Sequence, residues 1–125
     1  MYDPSLAIDI LNQVYHAVGI ILKRFEPVQS PDDFTKSEYG MEKLDAICMQ
    51  LITIGESLKN LDKITEKNLL KNYPQIEWKK IKGLQDIITH HYFDVNAEAI
   101  YNVCDNHIEP LGETIKQIIN ELSSG

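Results

Sequence analysis

The sequence is poor in several features that mark specialised classes of protein. Its 125 residues include only two cysteines, Cys48 and Cys104, too few for the disulfide framework of a small exported protein. No apolar run approaches the roughly 18 residues that would span a bilayer. The N-terminal residues 1–4 lack the basic start of a secretory signal. We therefore expect a cytoplasmic protein that does not enter a membrane.

Positive charge is scarce as well, and arginine most of all. The chain has 12 basic and 19 acidic residues, for a net charge of −7, and Arg24 is its only arginine. Broad, charge-driven binding to nucleic acid needs many phosphate contacts from lysine and arginine. The composition argues against that mode of binding but leaves room for a local basic cleft.

Several kinds of active site are missing from the sequence. There is no glycine-rich phosphate loop and no serine or cysteine nucleophile signature. His90, His91 and Asp94 do not make a tetrahedral zinc ligand set, and both cysteines fall on apolar stripes where buried thiols are ordinary. We expect neither a metal nor a cofactor.

What the sequence does contain is apolar residues spaced three or four apart, which predicts helices. Thr65 is a candidate cap for a short helix and Asn96 for a long last one, which Pro110 should kink. The second helix should have a seam at Met41, Leu44, Cys48, Leu51, Gly55 and Leu58. The predicted helices cover approximately residues 4–25, 33–61, 65–71, 78–90 and 97–122.

These segments predict an all-α fold, an up-down bundle of four to five helices in a single domain over residues 1–125. Gly55 on the second seam costs helix propensity, so we expect a neighbouring helix to approach closely there. The apolar stripes are wide enough that part of them should be buried against a second copy. The sequence therefore predicts a homodimer.

The densest polar cluster ends the fourth helix, from Gln85 to Asp94. Positions four apart share a helix face, so Asp86 could orient the imidazole of His90. Gln85 is offset from His90 by about 140°, so one chain alone would not aim both at the same atom. A histidine pair at a helix C-terminus can equally be a cap and dipole interaction. Upstream, the lysines of residues 79–82 are a solvated face or a guide for RNA.

The chain resembles the HepT-like proteins of the HEPN superfamily over roughly half its length. The matching stretches are residues 54–56 (IGE), 73–74 (YP), 76–84 (IEWKKIKGL), 86–95 (DIITHHYFDV) and 100–101 (IY). The resemblance implies a HEPN-like bundle that dimerises so that two copies of one motif meet in a cleft. That motif is an arginine, four residues, a histidine, one residue and a tyrosine.

The same resemblance implies metal-independent RNA cleavage within a HepT/MntA-type toxin–antitoxin module. His90 matches the motif histidine, which acts in proton transfer at the ribose 2′-hydroxyl or the leaving oxygen, and Asp86 follows the arginine position. Tyr92 matches the tyrosine to which an MntA-type minimal nucleotidyltransferase adds AMP, silencing the toxin. His91 and Lys82 would support the site.

The sequence departs from the motif at its first position, where Gln85 stands in place of the arginine. Glutamine donates a hydrogen bond but carries no charge, and losing one well-placed donor in a transition-state pocket typically costs ~3–4 kcal/mol. Three functions therefore remain open. They are an attenuated ribonuclease toxin, a non-catalytic partner that accepts AMP on Tyr92, and a helical interaction domain unrelated to RNA.

Overall fold

A computed structural model describes residues 2–124, which are almost entirely helical and include no strand among them. The all-α prediction is confirmed. Short 3-10 turns at Leu70–Asn72 and Tyr92–Asp94 connect longer elements. The helices are α1 Pro4–Phe25, α2 Asp32–Thr35, α3 Glu38–Ile64, α4 Trp78–His90, α5 Ala97–Asn106 and α6 Ile108–Ser124.

Helix α3 is the centre of the bundle. It packs against α1 on one side and α4 on another, while α6 covers a second face of α1 and α5 leads into α6. The buried side chains form one hydrophobic cluster to which every helix contributes. The largest of them include Phe34, Leu11, Ile21, Ile47, Ile54, Leu58, Leu61, Ile88, Ile100, Ile108 and Leu111.

Helix α1 has the bounds that its spacing predicts. Asp3 accepts a hydrogen bond from the Ser5 N–H at 2.9 Å, and Pro4 occupies the first turn, where it needs no partner. By length and composition alone, α1 is apolar enough to cross a membrane, which the sequence reading did not anticipate. Its buried face nevertheless packs against α3 and α6, as the core helix of a bundle does.

The second predicted helix is divided in two. The chain breaks after Thr35, and Ser37 starts α3 by accepting a hydrogen bond from the Gly40 N–H at 3.0 Å. A Cβ on Gly40 would lie 1.9 Å from the Asp33 carbonyl oxygen, so only glycine permits this return of the chain. The predicted seam is buried from Leu44 onward, but Met41 is exposed and does not belong to it.

Thr65 does not begin a short helix, and that prediction is wrong. Its hydroxyl donates to the Leu61 carbonyl at 2.8 Å, so it ends α3 instead. Glu66 and Lys67 follow with φ of 52° and 61°, a left-handed conformation in which a helix cannot continue. Only the 3-10 turn Leu70–Asn72 remains of the predicted segment.

The last predicted helix is two helices rather than one kinked helix. Asn96 caps α5 by accepting from the N–H groups of Glu98 and Ala99, as predicted. Pro110 has no N–H to offer the carbonyl four residues earlier, and its ring crowds that carbonyl. Helix α5 accordingly ends at Asn106, which is that residue, and α6 begins at Ile108.

Candidate functional site

Helix α4 carries the polar cluster and has the bounds that the sequence predicts. Its first residue, Trp78, is buried and donates from Nε1 to the Tyr73 carbonyl at 2.9 Å. Ile88 is buried at the other end, whereas Ile81 and Leu84 are only partly covered. The helix is thus fixed at both ends, and Gln85 takes the buried position between them.

Gln85 is held against α3. Its side chain is 9% exposed, and its Nε2 donates to Oε2 of Glu56 at 2.8 Å. A Cβ on Gly55 would lie 2.4 Å from the Cβ of Gln85, so the two helices meet closely, as predicted from the glycine. The Oε1 of Gln85 is buried and has no hydrogen-bond partner among residues 2–124.

His90 lies on a different side of α4. It is exposed in the last turn, whereas Gln85 faces the interior. This arrangement agrees with their angular offset, and a single chain does not bring the two side chains together. His91 is the C-cap, and its N–H donates to the Ile87 carbonyl at 2.9 Å.

Asp86 shares the exposed face with His90 but contacts another residue. Its Oδ1 accepts from Nζ of Lys59 on α3 at 2.9 Å. No hydrogen bond joins Asp86 to His90 in the part of the chain that the structure describes. The carboxylate therefore links α4 to a lysine of α3 rather than to the imidazole.

Tyr92 lies just beyond α4, in the turn Tyr92–Asp94, and is 43% exposed. Its hydroxyl donates to Oδ1 of Asp45 on α3. This hydrogen bond, together with partial burial and the charge of Asp45, raises the pKa of Tyr92 to about 12. The phenol is therefore neutral at ordinary pH, exposed on one side and in contact with a carboxylate on the other.

Lys82 and the lysines near it line an open depression of about 640 Å³ between α3 and α4. Lys82 itself is paired with Asp62. Neither it nor Lys80, which pairs with Glu77 at 2.8 Å, takes the place of the missing arginine beside Glu56. Arg24 is in the last turn of α1, a helix that packs on α3, α5 and α6.

Three residues that the sequence reading did not place in the site are Glu56, Asp45 and Lys59. Glu56 directly follows Gly55 in the IGE stretch, so its partnership with Gln85 could have been suspected from the close helix approach. Asp45 and Lys59 are 47 and 27 residues from their partners, and no local pattern signals such contacts.

The cysteines and the acidic residues form no further site. Cys48 and Cys104 are both buried and unpaired with each other, as expected from their stripes. Burial is the main cause that raises the pKa of Cys48 to about 11 and of Cys104 to about 12. Within residues 2–124, no three His, Cys, Asp or Glu side chains are grouped as metal ligands.

Comparison with known proteins identifies the family to which this arrangement belongs. The family model described as "Ribonuclease HepT-like" matches residues 14–118, which include α3, α4 and the turn that carries Tyr92. The chain belongs to the HepT-like ribonuclease family. The resemblance noted in the sequence is thereby confirmed.

Two relatives support this membership in the HepT-like family. The chain is 32% identical over 93 residues to "Putative RNase MJ0127" of Methanocaldococcus jannaschii, covering 73% of this chain and 74% of the relative. It is also 32% identical over 111 residues to "Putative RNase TTE0752" of Caldanaerobacter subterraneus subsp. tengcongensis, covering 89% and 92%. No solved structure matches this HepT-like chain significantly.

Proposed function

We propose that this HepT-like protein is the toxin component of a HepT/MntA-type toxin–antitoxin module in the cytoplasm, descended from an RNA-cleaving enzyme and weakened by Gln85. The observation that carries the proposal is the motif from Gln85 to Tyr92, which lies within the residues matched by the ribonuclease family. Its histidine and tyrosine are exposed at the end of α4.

The proposed reaction is metal-independent cleavage at the ribose 2′-hydroxyl. The 2′-oxygen bonds to the adjacent phosphorus while the bond from phosphorus to the 5′-oxygen of the next nucleotide breaks. The proton lost by the 2′-hydroxyl leaves through a base, and the departing 5′-oxygen gains one. His90 is the candidate group for one of these transfers, because it is exposed and an imidazole exchanges protons near neutral pH.

Gln85 supports a weak rather than a strong enzyme. The developing negative charge on the phosphorus oxygens is best met by a planar, charged guanidinium that donates two hydrogen bonds. The amide of Gln85 has no charge, and its Nε2 is already engaged by Glu56. An arginine at this position would reach further than the amide and carry the charge that the site lacks.

A homodimer would resolve the separation of Gln85 from His90, because a second copy can supply one of the two groups to a shared cleft. An exposed apolar surface near the motif supports this part of the proposal. Phe93 is fully exposed, and Ile87 and Met49 are more than half exposed. Such side chains are expected at a protein interface rather than facing water.

Tyr92 is proposed as the AMP acceptor of an MntA-type minimal nucleotidyltransferase, the antitoxin partner. Its partial exposure supports access by the partner. In the transfer, the phenolic oxygen bonds to the α-phosphorus of ATP, pyrophosphate leaves, and the phenolic proton passes to a base. The carboxylate of Asp45 already accepts that proton in a hydrogen bond and is the candidate base.

A second candidate function is that of an AMP-accepting partner without cleavage activity, which the uncharged Gln85 favours. Cleavage of RNA by the wild type beside Gln85→Arg separates the two functions. An interaction domain unrelated to RNA has no observation in its favour once the family is known.

A further inference from the structure

The charges of this chain are strongly segregated. Residues 59–82 hold seven of the 12 basic residues and three of the 19 acidic ones, a local charge of +4 in a chain whose net charge is −7. These residues form the end of α3, the following turns and the start of α4. The general argument against nucleic-acid binding therefore does not apply to this surface.

Five of these lysines converge on the open depression between α3 and α4. Its two acidic residues do not offset them all, because Asp62 is paired with Lys82 and Asp86 with Lys59. Three lysines have no carboxylate within 4 Å among residues 2–124, which leaves the depression with an unmatched charge of about +3. These three are Lys63, Lys67 and Lys79.

The depression is in line with His90. Along α4, its lining residues recur at the spacing of one helix face, and the next position of that face is His90. Taken at 100° per residue, all five fall within a sector of roughly 100°. The α4 residues concerned are Lys79, Lys82, Gly83 and Asp86, followed by His90.

Distance along the helix agrees with this alignment. At about 1.5 Å per residue, Lys79 lies ~16 Å and Lys82 ~12 Å from His90 along the axis of α4. A stacked strand rises roughly 3.4 Å per nucleotide, so this interval corresponds to about four nucleotides. The lysines are thus placed to hold phosphates several nucleotides away from a bond that His90 attacks.

We propose that the lysine-lined depression, defined by Lys59, Lys63, Lys67, Lys79 and Lys82, binds the phosphate backbone of single-stranded RNA and leads the strand along α4 to His90. The inference deepens the proposed ribonuclease function and rests on it for the identity of the ligand. Lysines act there as point charges on phosphates, so the binding has little dependence on base sequence.

Binding can be measured without cleavage. A fluorescein-labelled 2′-O-methyl oligouridine has the phosphate backbone of RNA but no free 2′-hydroxyl to attack. Its fluorescence anisotropy is titrated with the full wild-type chain between 50 and about 200 mM salt, a range over which phosphate binding weakens strongly. The test variant is Lys63→Gln/Lys67→Gln/Lys79→Gln, which changes three exposed lysines that hold no ion pair.

A matched control removes the same charge elsewhere. Lys23→Gln/Arg24→Gln/Lys116→Gln also lowers the net charge by three, at exposed positions of α1 and α6. Far-UV circular dichroism and the urea midpoint verify that both variants fold. We expect the test variant to bind about tenfold or more weakly at low salt, and its salt slope to fall by about 2, at roughly 0.7 per phosphate contact. The control should bind like the wild type.

Equal binding by the two triple variants would overturn the inference, as would wild-type binding that does not depend on salt. An acidic peptide that carries the same charge as the oligonucleotide and binds as tightly would assign the depression to an acidic protein instead. Because the ligand cannot be cut, loss of binding in the test variant supports the inference whether or not the protein cleaves RNA. Cleavage that persists with unchanged binding in the test variant would overturn this inference alone.

Discussion

The amide Nε2 of Gln85 donates a hydrogen bond of 2.8 Å to Oε2 of Glu56 across the contact between α4 and α3. The contact is possible because Gly55, the residue before Glu56, has no side chain to hold the helices apart. The motif position that would bear a positive charge is therefore occupied by a neutral group that faces a carboxylate. This relationship connects the packing of the bundle to the proposed loss of catalytic power.

The close approach at Gly55 predicts opposite effects for two glycine substitutions. Gly55→Ala should destabilise the fold by about 1–3 kcal/mol, because its Cβ would collide with that of Gln85. Gly19→Ala, in α1, meets no atom within 4 Å and should stabilise the helix by about 0.5–1 kcal/mol. Urea unfolding at one fixed protein concentration measures both. Equal effects of the two substitutions would show that the helices do not meet as described.

Glu56 is placed to hold an introduced arginine. Gln85→Arg should form a charge-assisted bond to Glu56, and Glu56→Gln, which keeps the shape of the side chain, should remove it. We expect a coupling free energy of about 1–3 kcal/mol in a double-mutant cycle of urea unfolding. Strictly additive effects of the two changes would mean that the residue at position 85 does not reach Glu56.

The buried thiols predict a loss of stability at alkaline pH. Burial raises the pKa of Cys48 to about 11 and of Cys104 to about 12, whereas both lie near 9.0 in the unfolded chain. The folded state therefore keeps protons that the unfolded state releases. Stability is complete below about pH 9 and decreases as the pH rises toward 11, by at most about 1.4 kcal/mol per pH unit for each thiol.

Urea midpoints measured between about pH 8 and pH 10.5 test this dependence. The variant Cys48→Ala/Cys104→Ala should lose stability less steeply than the wild type over that interval. Parallel curves for the two proteins would show that the thiols do not account for the alkaline decrease.

Tyr92 and Asp45 make a prediction about modification. Co-expression with an MntA-type minimal nucleotidyltransferase should add AMP to the wild type, visible in the intact mass. Tyr92→Phe should abolish that addition, and Asp45→Asn should reduce it because the candidate base is lost. The exposed Tyr39→Phe is a matched control that should leave the addition unchanged. AMP added equally to Tyr92→Phe would remove Tyr92 from the account.

Much of the fold was predictable because periodic apolar residues specify which side of a helix is buried. Helices α1 and α4 have their predicted bounds, and Asn96 caps α5 as expected. The failures lie where one local group decides between two outcomes. A threonine hydroxyl caps a following helix or bonds back to the preceding turn, and Thr65 does the latter. A proline kinks a helix or ends it, and Pro110 coincides with an end.

The candidate site was predictable only in part. The separation of Gln85 from His90 follows from helix geometry alone, and the glycine at position 55 signals the close approach of α4. The pairing of Asp86 was not predictable, because Lys59 belongs to a distant helix and competes with His90 for the same carboxylate. Tertiary contacts between residues far apart in sequence leave no periodic signal.

Cleavage of single-stranded RNA by four purified proteins tests the central claim most directly. They are the wild type, Gln85→Arg, His90→Ala and Gln85→Arg/His90→Ala, and labelled products are followed by gel electrophoresis. We predict that Gln85→Arg cuts about 10²–10³ times faster than the wild type and that neither protein with His90→Ala cuts. No cleavage by Gln85→Arg, or cleavage that persists without His90, would contradict the account.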